Sequence, residues 1–170
     1  MTDMTQTLSR LWKQMASRQR IEAAGAFWRD EQATDDQAQA VLLIAQQRKF
    51  RPKTVASLDV DRKARHLATL SNLPGALIAR ALVAYHLAQQ RPMMGAFLDT
   101  LGIAHQHGVI QEDGVTPDAA KLGPAVARIA QQCPAADVSL YLNTLLCQDP
   151  ETWGGLRAEL EKLEGEPSRS

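Results

Sequence analysis

The stretch PGALIARALVAYHLAQQRP, residues 74–92, decides how this chain reads. Pro74 suits the first turn of a helix, and Pro92 opens the next segment, because proline lacks the N–H that a helix interior needs. Between residues 74 and 90, Leu77, Ile78, Leu82, Val83, Tyr85 and Leu87 spread around most of a helix circumference, and Arg80 carries the only full charge. A helix apolar on nearly every side belongs at the centre of a bundle, packed by several neighbours. It does not suit a bilayer: a span needs roughly 18 apolar residues in a row, and this segment is shorter and holds Arg80 and His86.

The rest of the chain agrees. Ala, Leu, Gln, Glu, Arg and Met dominate, the strong helix formers. No run alternates apolar and polar residues at strand period, and the one Asp-Gly pair, Asp113-Gly114, sits in a polar loop with only GVI shortly before it. Helices are expected near 5–16, 19–30, 35–49, 59–70, 74–90, 92–102, 117–132 and 134–148, with a ninth at 150–164. Thr34 and Gln37 have capping-box spacing, and Thr116-Pro117 and Asp149-Pro150 each set a capping side chain before a proline. Gly102, Gly108 and Gly165 mark stops, and Gly123-Pro124 predicts a break or kink in 117–132. The expected fold class is all-α: one domain over 1–165, a multi-helix bundle with a frayed tail at 166–170.

The end of the opening stretch raises a second architecture. Ala-Gln-Gln occurs at 45–47, 88–90 and 130–132, each copy preceded by Ile or Leu and followed by a proline, at Pro52, Pro92 and Pro134. The spacing of 43 and 42 residues matches two-helix units of the HEAT or armadillo kind. Against it, the gap from alanine to proline varies and the copies diverge elsewhere. A period of about 42 therefore stands as the alternative to an irregular bundle.

Composition narrows the classes of function. Nineteen basic and nineteen acidic residues cancel, giving no global pull toward nucleic acid or membrane. Cys133 and Cys147 lie 14 apart without a Cys-x-x-Cys pair and read as reduced and buried, although Cys133 falls at an expected helix start that could lower its pKa. Arg10 and Lys13 interrupt the apolar run of the N-terminus, so no signal peptide is expected and the compartment reads as cytoplasmic.

Chemistry-bearing residues are sparse. His105 and His107 with Glu112 and Asp113 form the one local cluster of metal-ligand types, but helical ligands prefer spacings of three or four, so a solvated helix-end loop is the simpler reading. His86 reads as a core histidine and His66 as a surface one. No nucleophile elbow and no phosphate-binding glycine loop is found, and no cofactor is expected. The clearest asymmetry is charge: residues 46–66 carry Arg48, Lys49, Arg51, Lys53, Arg62, Lys63 and Arg65 against Asp59 and Asp61, with Phe50 among them. Residues 149–170 are acidic, with six acids against three bases. In the first thirty residues, Leu8, Leu11, Trp12 and Met15 make one helical stripe, and Ile21, Ala24, Gly25 and Trp28 make another. Such stripes cover a core, or form an arm (1–30) that packs on a partner.

The leading expectation is a non-enzymatic protein-interaction or regulatory module, with a protein partner and no membrane. The second is an enzyme or small-ligand bundle whose site gathers distant residues, with Arg80, His86, Asp99, His105 and His107 as candidates. The third is nucleic-acid contact through the basic 48–65 stretch.

Overall fold

The computed structural model describes residues 2–165, which form ten helices and one two-stranded hairpin. The all-α expectation holds. The expectation for the 166–170 tail lies outside the described residues. No helix among the described residues is long and apolar enough to cross a membrane. The helices gather into two compact units, divided at Ala88 and Gln89.

The first unit holds α1 (Thr2–Gln14), α2 (Ser17–Arg29), α3 (Thr34–Arg48), α4 (Pro52–Ala56), α5 (Val60–Ala68) and nearly all of α6 (Gly75–Gln89). Its fully buried side chains include Phe27, Ile44, Val55, Leu67, Leu77, Ile78 and Leu82. As the opening stretch predicts, α6 is buried on most sides, from Leu77 through His86. The two N-terminal stripes are covered by the chain's own fold: Leu8, Leu11, Trp12, Met15, Ala24 and Trp28 are all buried. The gap at Gly25 faces α5, where a Cβ would lie 4.0 Å from that of Ala64.

Several joints differ from the sequence reading. Thr34 and Gln37 make no capping box. Thr34 Oγ1 donates to the Glu31 carbonyl, and Gln37 Nε2 donates to the carbonyls of Phe27, at 2.9 Å, and Asp30, at 2.8 Å. Gln37 thus caps the end of α2 from α3, because the last carbonyls of a helix lack intrahelical partners. Between α3 and α5 stands an extra short helix, α4, which Pro52 starts. The helix α5 begins as Asp59 accepts the Arg62 N–H at 2.8 Å.

The second unit holds α7 (Arg91–Leu101), the hairpin β1 (His105–Gln106) and β2 (Val109–Ile110), α8 (Ala119–Gln132), α9 (Ala135–Gln148) and α10 (Leu156–Gly165). Phe97 packs edge-on to Tyr141, centroids 5.7 Å apart, and tilted against Trp153 at 6.0 Å. Leu98, Ile129, Leu142 and Leu156 complete the core. In the C-terminal segment Trp153, Leu156 and Leu160 are buried and Leu163 is half-buried. However, 150–155 is a series of turns tied by Asp149, which accepts from Thr152 N–H and Oγ1, and the helix starts only at Leu156. The cap of α8 is Asp118, which accepts the Ala120 N–H at 3.0 Å, rather than Thr116. No break occurs at Gly123-Pro124: α8 runs continuously from Ala119 to Gln132 with Pro124 inside it. Among the described residues the hairpin is the only sheet. It turns through His107 (φ 52°) and Gly108 (φ 87°), two left-handed residues of the kind that tight hairpins require.

The three Ala-Gln-Gln copies all lie near helix ends, in α3, α6 and α8, but their environments differ. Ala45 is buried, Ala88 exposed and Ala130 half-buried. Gln47 of the first copy has its own task. Its carboxamide donates to the Ser71 carbonyl at 2.7 Å and accepts the Ser71 N–H at 3.0 Å, clasping the 69–73 turn to α3.

Candidate functional site

The basic stretch becomes a surface through one sharp turn. Lys49 takes the left-handed conformation (φ 59°, ψ 41°) and caps α3 through its N–H to the Ala45 carbonyl, while Phe50 N–H reaches the same oxygen at 2.9 Å. A left-handed conformation costs a non-glycine residue roughly 1–2 kcal/mol; here it redirects the chain into Arg51 and Pro52, which start α4. Lys49, Phe50, Arg51 and Lys53 are consequently all exposed. Phe50 stands edge-on to His66 of α5, centroids 5.7 Å apart, and Arg48 Nη2 donates to Thr69 Oγ1 at 2.6 Å. These contacts bring the last turn of α5, with exposed Arg65, beside the turn at 49–51.

The seven basic residues separate into two groups. Arg62 pairs with Asp59 at 3.7 Å on its own helix, and Lys63 lies 5.0 Å above the Trp28 ring, so both are engaged within the fold. Arg48 is held by Thr69. Lys49, Arg51, Lys53 and Arg65 form no ion pair among the described residues. His66, half-buried rather than the surface residue its sequence context suggests, has its pKa lowered by burial and then by the Arg48 charge. The positive charge of the face therefore rests on Arg and Lys, which stay charged across the physiological range.

Apolar groups accompany this charge. Among the described residues the exposed large hydrophobics are Leu42, Phe50 and Val109, and Phe50 belongs to this face. Leu42 is 59% exposed on the solvent side of α3, in line with Ala38 and Gln46 at helical spacing.

The other candidates are placed less favourably for chemistry. Gly108 N–H donates to His105 Nδ1 at 3.1 Å, which leaves the ring hydrogen on Nε2 to donate to Asp99 Oδ1 at 2.7 Å. His105 thus closes the hairpin turn through Nδ1 and holds it on α7 through Nε2, so both ring nitrogens are engaged within the fold. His107 is exposed at the turn, where its carbonyl accepts from Arg91, and Glu112 and Asp113 are exposed beyond it. Among the described residues no three His, Cys, Asp or Glu side chains gather as a metal site would require. Arg80 joins Asp30 at 3.4 Å and Asp36 at 4.0 Å, tying α6 to the end of α2 and the start of α3. His86 is 2% exposed, and burial lowers its pKa to about 4. Cys133 and Cys147 are free and half-buried. Burial raises both thiols, and Asp137 adds to the rise at Cys133, so the lowering expected from a helix start is overturned there. Cys133 lies at the C-terminal cap of α8, and α9 begins only at Ala135.

No protein-family model, characterised protein or solved structure matches this chain.

Proposed function

We propose that the protein is a non-catalytic binding module whose partner is another protein, presenting an acidic amphipathic segment to exposed Leu42 and the Lys49–Lys53 and Arg65 face. The observation that carries this reading is exposed Phe50 among four cations that form no ion pair among the described residues, with exposed Leu42 on α3, the helix that leads into this turn. Apolar anchors within a charged rim are the usual anatomy of a protein interface. A nucleic-acid surface also uses Arg, Lys and a stacking aromatic, and exposed Leu42 favours the protein reading because apolar anchors are the rule in protein interfaces. Charge on the rim steers encounter, and the apolar pair supplies the buried contact.

The test uses two fluorescent probes at 150 mM salt: a 20-residue helical peptide with Glu along one face and Leu and Phe along the other, and a mixed-sequence 20-nucleotide DNA strand. The peptide should bind saturably. Binding should weaken about tenfold, or by about 1.4 kcal/mol, in L42S/F50S and again when Lys49, Arg51, Lys53 and Arg65 become Gln. Saturable DNA binding without peptide binding would reassign the face to nucleic acid. Binding of neither probe would remove the proposal.

A further inference from the structure

Within the first unit, α1, the start of α2, the 70–73 turn and the first turn of α6 enclose a cleft of about 360 Å³. Its lining includes Trp12, Lys13, Arg20, Ser71, Leu73 and Ile78, and among the described residues no acid. The indole of Trp12 is 4% exposed, and its Nε1–H meets no acceptor among the described residues. Arg20 Nε is buried without an acceptor as well, although Nη2 of the same guanidinium donates to Ser17 Oγ at 3.3 Å. A buried donor left unsatisfied costs about 1–3 kcal/mol, and two lie beside this cleft.

Trp12 Nε1 and Arg20 Nε are themselves closed to solvent, so the lining's chemistry rests on its charge: Lys13 and the Arg20 guanidinium, with no acid among the described lining residues, favour a ligand bearing negative charge. Leu73 and Ile78 add an apolar wall, and the small volume limits the ligand to a compact molecule. One side of the cleft is fixed in advance: the Gln47 carboxamide clamps Ser71 in both directions, and Asn72 turns through φ 53°. Such preorganisation lowers the ordering cost of binding.

We propose that this cleft binds a small organic carboxylate with a short apolar body, its carboxylate received by the Arg20 guanidinium and its hydrocarbon end against Leu73 and Ile78, beside the Trp12 ring. The Arg20 fork suits a planar carboxylate, and Lys13 at the rim adds attraction. This site is separate from the basic face and does not depend on it.

The experiment is an NMR titration of the full chain with 4-methylpentanoate and, in a parallel arm, with inorganic phosphate. It follows the three indole N–H signals, with Trp12→Phe assigning the one of interest. Saturable movement of the Trp12 signal with 4-methylpentanoate, while those of Trp28 and Trp153 stay in place, is the expected result. Arg20→Gln should weaken that binding about tenfold, as loss of one charged hydrogen bond does, and Lys13→Gln by a smaller factor. An unchanged amide spectrum outside the cleft establishes that each variant is folded. Movement with phosphate alone, or with neither ligand, would overturn the proposal, as would full affinity in both folded variants.

Discussion

Acidification from pH 7 to pH 4 should cost the fold about 3 kcal/mol through one side chain, His86, whose pKa burial lowers from 6.5 to about 4. The sign follows from linkage. The unfolded chain takes up a proton near pH 6.5, whereas the folded chain resists it until about pH 4. The stabilisation is therefore complete above the unfolded value and is lost as pH falls through the window between them. The loss should reach about 2 kcal/mol by pH 5, with a slope approaching 1.4 kcal/mol per pH unit. Urea unfolding followed by helical circular dichroism at pH 7.0, 6.0, 5.5 and 5.0 measures it. His86→Leu and His86→Gln remove the titration, so each variant should show a flatter dependence than the parent by nearly one proton. The reasoning fails if parent and variants share the same slope between pH 6.5 and 5. His66, shifted in the same direction but less buried, adds a smaller slope that the His86 variants retain.

Three further outcomes follow from particular contacts. Gly108→Ala should destabilise the second unit by about 2–3 kcal/mol, read as a lowered melting temperature, because its φ is +87° and its Cβ would fall 2.7 Å from that of Met94. Gly25→Ala should be neutral or stabilising by up to about 1 kcal/mol through helix propensity, since its new Cβ displaces only the Arg29 guanidinium end, 3.1 Å away, and meets Ala64 at 4.0 Å; a large loss by chemical denaturation would contradict this. At pH 7.5 both cysteines should react with iodoacetamide more slowly than a free thiol, because burial holds each thiolate fraction down; a fast-reacting Cys133 would show that the Asp137 and burial effects are outweighed.

The helices were legible where periodicity and proline or glycine punctuation coincided, as in 74–92 and at Gly102, which takes the left-handed cap at φ 71°. Joints were legible only where the partner is local. Gln37 was misread because its amide reaches carbonyls of the preceding helix, and α4 was missed because five residues leave no period to detect. The hairpin escaped because His-Gly is not a usual turn pair, and its stability comes from the His105 bonds to Asp99 and Gly108. The basic face was visible as charge. Its division into engaged Arg62 and Lys63 and four cations, Lys49, Arg51, Lys53 and Arg65, without an ion pair among the described residues depends on Asp59 and Trp28 and exists only in three dimensions. The cleft was invisible in sequence, since its lining runs from Ser9 to Ile78 and its signal is Lys13 and Arg20 meeting there with no acid among the described lining residues.

The most direct test of the binding-module account is photo-crosslinking from position 50 in the native host. A benzophenone amino acid replaces Phe50, a second probe replaces exposed Arg18 on α2, and the attachment points are mapped by mass spectrometry. The account predicts a protein adduct, specific to position 50, at a segment rich in Asp or Glu with apolar residues at helical spacing. That adduct should disappear when Lys49, Arg51, Lys53 and Arg65 are changed to Gln. Adducts to nucleic acid, or the same adducts from both positions, would contradict it.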